Sequence, residues 1–186
     1  MSCSPGASSS TVADICTAAE VAPATFYTYF PAKEDLVFAD QPEGVVAMRQ
    51  TITARGSAES LYTVLMRGVE MLAASPQWSV ASDENPAAIR ARLILTVPSL
   101  RAVALRQLFD LQVDWANALT LAFPGELDEP TAHAVIGSLV GAVTSTAMAH
   151  IRQNRPLEQI PEVVTQAAQI ALNGLPRLQI SNGTTE

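Results

Sequence analysis

The sequence predicts an all-α protein, on three observations. Aromatic residues are 5% of a chain that is 48% apolar, so its core material is mainly Ala, Leu and Val, which suits close-packed helices better than strands rich in aromatic and β-branched residues. Apolar residues recur at spacings of three and four over long windows. Proline and glycine fall mostly between those windows. At 186 residues the chain can hold one large helical domain or a small head on a larger body, with enough apolar content for a real core.

The lead MSCSPGASSS is rich in Ser, Gly and Pro and is expected to be loose over residues 1–9. It lacks the basic flank and long apolar run of a secretory signal. Ser10 or Thr11 can cap a short helix that carries Val12, Ile15 and Ala19 on one face. After a tight turn with Val21 pointing inward, Pro23 opens a second short helix through Tyr29. Two short helices joined by about four residues form a helix-turn-helix candidate. Pro31 and Ala32 break the chain, and a connecting helix starts at Lys33, with Glu34 and Asp35 where the helix dipole favours acids. It runs towards Arg55, interrupted near Pro42 and Gly44.

Further helices are expected over 57–74 and 83–96, bounded by Pro76 and Pro98. The longest runs from Ser99 to Phe123, where Leu100, Ala104, Leu108, Leu111, Trp115, Leu119 and Ala122 trace one face. Two final helices cover 131–153 and 157–173, with Gly174 as a C-cap and a loose tail beyond Pro176. The stretch from Pro130 to Ile151 carries no formal charge. It contains two glycines, Ser138, Ser145 and Thr144, so it is expected to be a buried interface helix rather than a membrane span.

Residues Thr11 to Leu36, TVADICTAAEVAPATFYTYFPAKEDL, closely resemble the second, third and fourth helices in the head of the TetR-type (tetracycline-repressor-like) family of bacterial transcriptional regulators. The likeness lies in the Thr-Val-x-Asp-Ile opening, the Thr-Phe-Tyr-x-Tyr-Phe recognition helix and the Lys-Glu-Asp-Leu start of the connector. It implies an N-terminal helix-turn-helix head over 1–40, a helical effector-binding and dimerisation domain over 41–178, and a tail over 179–186. It implies a homodimer, double-stranded operator DNA and a small-molecule effector as partners. The residues agree with that reading. A recognition helix needs one face locked into the head and another of small polar groups for the major groove. Phe26 and Phe30 suit the first; Thr25, Tyr27 and Thr28 suit the second. Tyr27 and Lys33 stand where the family holds phosphates, with amides expected at a helix start there; Thr11, Pro23 and Ala24 complete the expected DNA-facing set.

Three departures bear on DNA. The family's first helix has almost no room before Thr11, so it is expected to be missing or truncated. Glu20 stands where the family usually has Gly, at a turn that can require a left-handed backbone. Ala22, Pro23 and Ala24 replace commoner polar and basic residues. Through Asp40 five acids face one base, Lys33, leaving −4, and the whole chain is −7 with pI near 4.8; DNA binding is driven largely by Lys and Arg displacing counterions. A truncated member that dimerises and binds a small molecule or protein without specific DNA binding is the alternative.

In the body, Gly137 and Gly141, continued by Ser145 and Ala149, place small residues every four positions. Together with Ile136, Val140, Val143, Val164, Ala168 and Ala171 they are the expected dimer face. Met71, Trp78, Phe109, Trp115, His133 and Met148 are the expected lining of an apolar effector pocket. The group Arg90, Arg92, Arg101 and Arg106 reads as a solvated helix face. Cys3 and Cys16 fit no metal or redox spacing, and a reducing cytoplasm suits them. Neither HExxH, Gly-x-Ser-x-Gly nor a phosphate-cradling glycine loop occurs. No catalytic residue, metal, cofactor or membrane contact is expected.

Overall fold

The structure, a computed structural model, describes residues 11–38, 43–74 and 86–173. The chain divides into two compact units, Met1–Asp40 and Gln41–Glu186. Among the described residues every regular element is helical.

The head contains α1 (Val12–Ala18), α2 (Pro23–Tyr29) and a 3-10 turn, Lys33–Phe38. Thr11 starts α1 with a capping box: its hydroxyl accepts from the Asp14 amide at 3.2 Å, while Asp14 Oδ2 accepts from the Thr11 amide at 2.8 Å. The helix ends in a Schellman motif. The Val21 amide donates to Cys16 O at 3.0 Å, and the Glu20 amide to Thr17 O at 3.3 Å. That closure requires φ of 55° at Glu20, the left-handed conformation expected of the family's glycine. Pro23 then occupies the first turn of α2, where no amide donor is needed.

Two inward assignments in the head are corrected. Cys16 is buried, whereas Ala19 is exposed and Val12 and Ile15 are half-buried, because the inner face of a two-turn helix is narrower than the window that predicted it. Val21 is 42% exposed; the left-handed residue before it turns its side chain outward.

The body contains α3 (Glu43–Thr53), α4 (Leu61–Ala73), α5 (Pro86–Thr96), α6 (Pro98–Ala122), α7 (Glu129–Arg152) and α8 (Ile160–Asn173). α7 packs on α6 and α8, α4 on α3 and α8, and α3 on α6, with α5 against α6 and α7. The core joins Met48 and Ile52 of α3, Val64, Leu65 and Val69 of α4, Trp115 and Leu119 of α6, Ile136 and Leu139 of α7, and Val164 and Ala168 of α8. The predicted stripe of α6 holds: Leu100, Trp115 and Leu119 are buried, and Ala104, Leu108, Leu111 and Ala122 half-buried.

Helix α4 begins later than expected, at Leu61. Residues 57–60 form turns, and the Ser60 hydroxyl accepts from the Thr63 amide at 3.2 Å as the true N-cap. At the close approach of α3 and α4, a Cβ on Gly68 would overlap the Met48 thioether while lying 3.6 Å from Met48 Cα, so the glycine makes room for the Met48 side chain. Arg55 clasps the end of α3 to α6. It donates to Ala122 O at 2.7 Å and Glu59 O at 3.1 Å, pairs with Glu126 at 3.1 Å, and lies 3.7 Å over the Phe123 ring. Nη1 caps an orphan carbonyl at the C-terminus of α6, where a cation is favoured. Arg49 and Asp114 join α3 to α6 at 3.5 Å.

Helix α7 is long and apolar enough to cross a membrane by length and composition. It packs on α6 and α8 through the buried Ala132, Ile136, Leu139 and Val140, and most of its most apolar stretch is not buried within the single chain. It ends in the same motif as α1. The Arg155 amide donates to His150 O at 3.3 Å and the Asn154 amide to Ile151 O at 3.0 Å, with φ of 51° at Asn154. His150, buried one turn before, donates from Nε2 to Pro156 O at 2.8 Å, tying the loop back to the helix.

Candidate nucleic-acid interface

α2 has the two faces that a recognition helix needs. Phe26 is 5% exposed and meets Phe30 at 5.3 Å between ring centroids and Tyr27 edge-on at 5.6 Å, so the aromatic i, i+4 pair is the helix's anchor. Ala24, Thr25, Tyr27 and Thr28 are exposed. Thr28 Oγ1 donates to Ala24 O at 2.9 Å, which commits its proton and leaves its lone pairs as acceptors. Among the described residues Thr25 has no side-chain partner, so its hydroxyl can donate or accept. Tyr27 is 56% exposed and Tyr29 73%, and Tyr29 is the residue that the sequence reading missed. With Phe26 and Phe30 assigned to the inner face, helical spacing alone places position 29 near the rim of that face; only its full exposure reveals a second phenol.

Other positions in the expected set are less free. The Thr11 hydroxyl donates to Asp14 Oδ2 at 2.7 Å, so its proton serves the cap of α1. The helix start expected at Lys33 is a six-residue 3-10 turn. The Ala32 amide beside it donates to Asp35 Oδ2 at 3.0 Å, so that amide is occupied by the chain's own carboxylate rather than open to a phosphate. Lys33 is half-buried. The exposed start of α2 is apolar, with Ala22 as a cap that makes no side-chain hydrogen bond.

In the body, the expected dimer face splits in two. Ile136, Val140, Val164 and Ala168 are 0–5% exposed within a single chain, because α7 and α8 use them to pack on α4, α6 and each other; they are core and have no surface left for a second copy. Gly137, Val143 and Ala171 keep partial exposure and Gly141 is exposed. A Cβ at Gly141 would meet nothing within 4 Å. The exposed side of α7 runs through Ala134, Ser138, Gly141 and Ser145, without a charge.

The expected pocket residues do not share one setting. Phe109 is 66% and Met71 48% exposed, and both face solvent instead of an enclosed cavity; Met71 Sδ accepts from Thr51 Oγ1 at 3.3 Å. His133 and Met148 are half-buried, and Trp115 is buried. Trp78 lies outside the described residues, as do Cys3, Ser10 and Gly174.

Residues 5–39 match the family described as bacterial regulatory proteins, tetR family. No curated protein matches the chain. The matched segment contains α1, the left-handed turn at Glu20, and α2 with its anchored and exposed faces. Over residues 5–39 the head thus resembles that of the tetR family of bacterial regulatory proteins, in sequence and in its helix-turn-helix geometry.

Proposed function

We propose that this protein is a ligand-responsive repressor that binds a palindromic operator as a homodimer. The observation that carries the reading is α2, whose Phe26 anchor turns Thr25, Tyr27 and Thr28 outward within a segment that matches the family. Residues 1–40 act on DNA, and 41–178 bind effector and dimerise. Thr25 and Thr28 read base edges, and Tyr27 and Lys33 hold phosphates, while Tyr29 adds a second phenol for the backbone. The uncharged side of α7, with Gly141 open to close approach, favours pairing with a second copy. Two-fold symmetry then sets two recognition helices on half-sites about 34–36 Å apart. An effector bound in the body favours a head spacing that no longer fits and shifts the population off DNA. The working compartment is the cytoplasm.

A second reading, a dimeric effector or partner binder without specific DNA binding, is favoured by the head's charge of −4 through Asp40 and by the donor-poor start of α2. Binding of the chain to its own upstream promoter region, titrated at low and physiological salt, separates the two. The repressor reading expects sequence-selective binding that weakens linearly with log salt, lost in Tyr27→Ala together with Thr25→Ala. Dimers without selective binding would favour the second reading.

A further inference from the structure

Among the described residues, one buried side-chain nitrogen or oxygen has no hydrogen-bond partner: Nε1 of Trp115. Several other buried or half-buried polar groups are served. Thr51 Oγ1 donates to Ala47 O at 2.8 Å, His150 Nε2 to Pro156 O, and Arg55 to two carbonyls and a carboxylate. Trp115 is 4% exposed, and buried indoles ordinarily find an acceptor. Phenylalanine, which the same core uses at position 123, would fill space without stranding a donor.

The position of Trp115 along α6 gives the stranded donor a use. Beyond it, towards the C-terminus, Ala116, Ala118 and Leu119 are closed into the core. Before it, Leu108 and Leu111 are only half-buried, as are Val143 and Ala147 in the second half of α7. Gln112 of α6 lies beside Gly137 of α7, the glycine's Cβ position being 3.5 Å from Gln112 Oε1. Trp115 therefore stands where the packed half of the α6–α7 pair gives way to a looser apolar half. The half-buried residues on this side, Leu108, Leu111, Val143 and Ala147, are apolar, so an ionised ligand seated among them would lose its hydration.

We propose that the Trp115 indole N–H is the donor that recognises the effector, and that the effector is a neutral, largely apolar molecule bearing a hydrogen-bond acceptor such as a carbonyl oxygen. An indole N–H can only donate, which excludes a ligand offering donors alone. The inference rests on the effector-binding reading of the body and specifies the ligand's chemistry.

The test uses the full chain with ¹⁵N-labelled tryptophan, in which Trp115→Phe assigns the two indole signals, and a pair of probes of nearly equal shape, α-tetralone and tetralin. The expected result is a saturable downfield shift of the Trp115 indole proton with the ketone, and affinity about five- to tenfold above that for the hydrocarbon, as one ordinary net hydrogen bond gives. In Trp115→Phe that ratio falls to about one. Equal affinities with an unmoved indole signal would overturn the inference while leaving an apolar site in place, and so would a ratio that survives in Trp115→Phe. Binding of neither probe would count against the effector site itself and remove the inference with it. Should Trp115→Phe fail to fold, the indole shift and the affinity ratio in the unaltered chain decide.

Discussion

In the described part of the head, α1 and α2 bury two residues, Cys16 and Phe26; in the body, α4 alone buries Val64, Leu65, Met66, Gly68 and Val69. Both units nevertheless end a helix with the same Schellman motif, at Glu20 and at Asn154, and both use an aspartate at a helix start, Asp14 in the capping box of α1 and Asp128 as the N-cap of α7. Local devices are thus equally developed in the two units, while tertiary burial is not. Hydrophobic burial supplies most of the stability of a fold, so the described part of the head depends on its caps and one aromatic anchor, and the body on its core. A reading head built this way can order on DNA while the body keeps the protein folded.

The largest effect expected from this contrast comes from one truncation in each unit. Ile136→Ala removes a fully buried side chain and should cost about 2–5 kcal/mol, lowering the main thermal transition. Phe26→Ala carries a nominal cost of about 3–5 kcal/mol, more than a unit with so little burial can lose. Its head amides should exchange as in an unfolded chain, with DNA binding abolished and the body's transition unmoved. A single transition shifted alike by both substitutions would show that head and body unfold as one unit and break the comparison.

The same contrast explains what could be read from the sequence. The α6 stripe was legible because it is long enough for a period to average over its exceptions, and α2 because Pro23, Phe26 and Phe30 leave one way to place a two-turn helix. Glu20 was legible as strain because the turn admits one backbone conformation. Ala19 was placed inward, and Cys16 passed over, because seven residues, the length of α1, give too few repeats to define a face. Ile136 and Val164 were read as dimer surface because an apolar helix face has the same pattern whether its partner is a neighbour in the chain or a second copy. The clasp of Arg55 on α6 was invisible, since its partners there lie 67 and 71 residues away, and no local rule pairs them. Trp115 stands among the expected pocket residues, but its missing partner is a property of the fold alone.

Close packing in the body gives the next effect. Gly68→Ala places a methyl group on Met48, which is 1% exposed. It should cost about 1–3 kcal/mol as overpacking, read as a lower urea midpoint at unchanged slope. A neutral result would mean that the Met48 thioether swings aside and that the α3–α4 contact is softer than its geometry. The head offers no comparable site among its described residues, since its helices approach nowhere through a glycine.

The two Schellman turns sharpen the comparison in the stabilising direction. The left-handed conformation costs an ordinary residue about 1–2 kcal/mol, and glycine returns about 0.5–1 kcal/mol of that through its freer unfolded chain. Glu20→Gly should therefore gain the head up to about 1 kcal/mol, seen as greater amide protection in α1 and α2. Asn154→Gly should gain less, because asparagine already tolerates the conformation. Equal gains would mean that Glu20 is relieved by something other than its backbone.

The smallest effect separates the two aspartates by pH. Hydrogen bonds from the Thr11 hydroxyl, and then from its amide, hold the Asp14 carboxyl below its ordinary value of 3.8. The Thr131 hydroxyl and amide do the same for Asp128. A carboxyl whose pKa is lowered by folding contributes stability that is complete above the ordinary value and is lost as pH falls through the lowered one. Both caps should therefore weaken on acidification below about pH 4. Their consequences differ, because α1 has seven residues and one buried side chain, whereas α7 has 24 residues and is held by Ala132 and Ile136 within two turns of its cap. Amide exchange followed down this range should show Asp14 and Ile15 losing protection while Ala132, bonded to the Asp128 carbonyl, keeps its own, and Asp14→Asn should flatten the pH dependence in α1. Simultaneous loss at both helix starts would place the acid-sensitive step in the body's core, since cap protonation alone cannot release a helix held by its own packing.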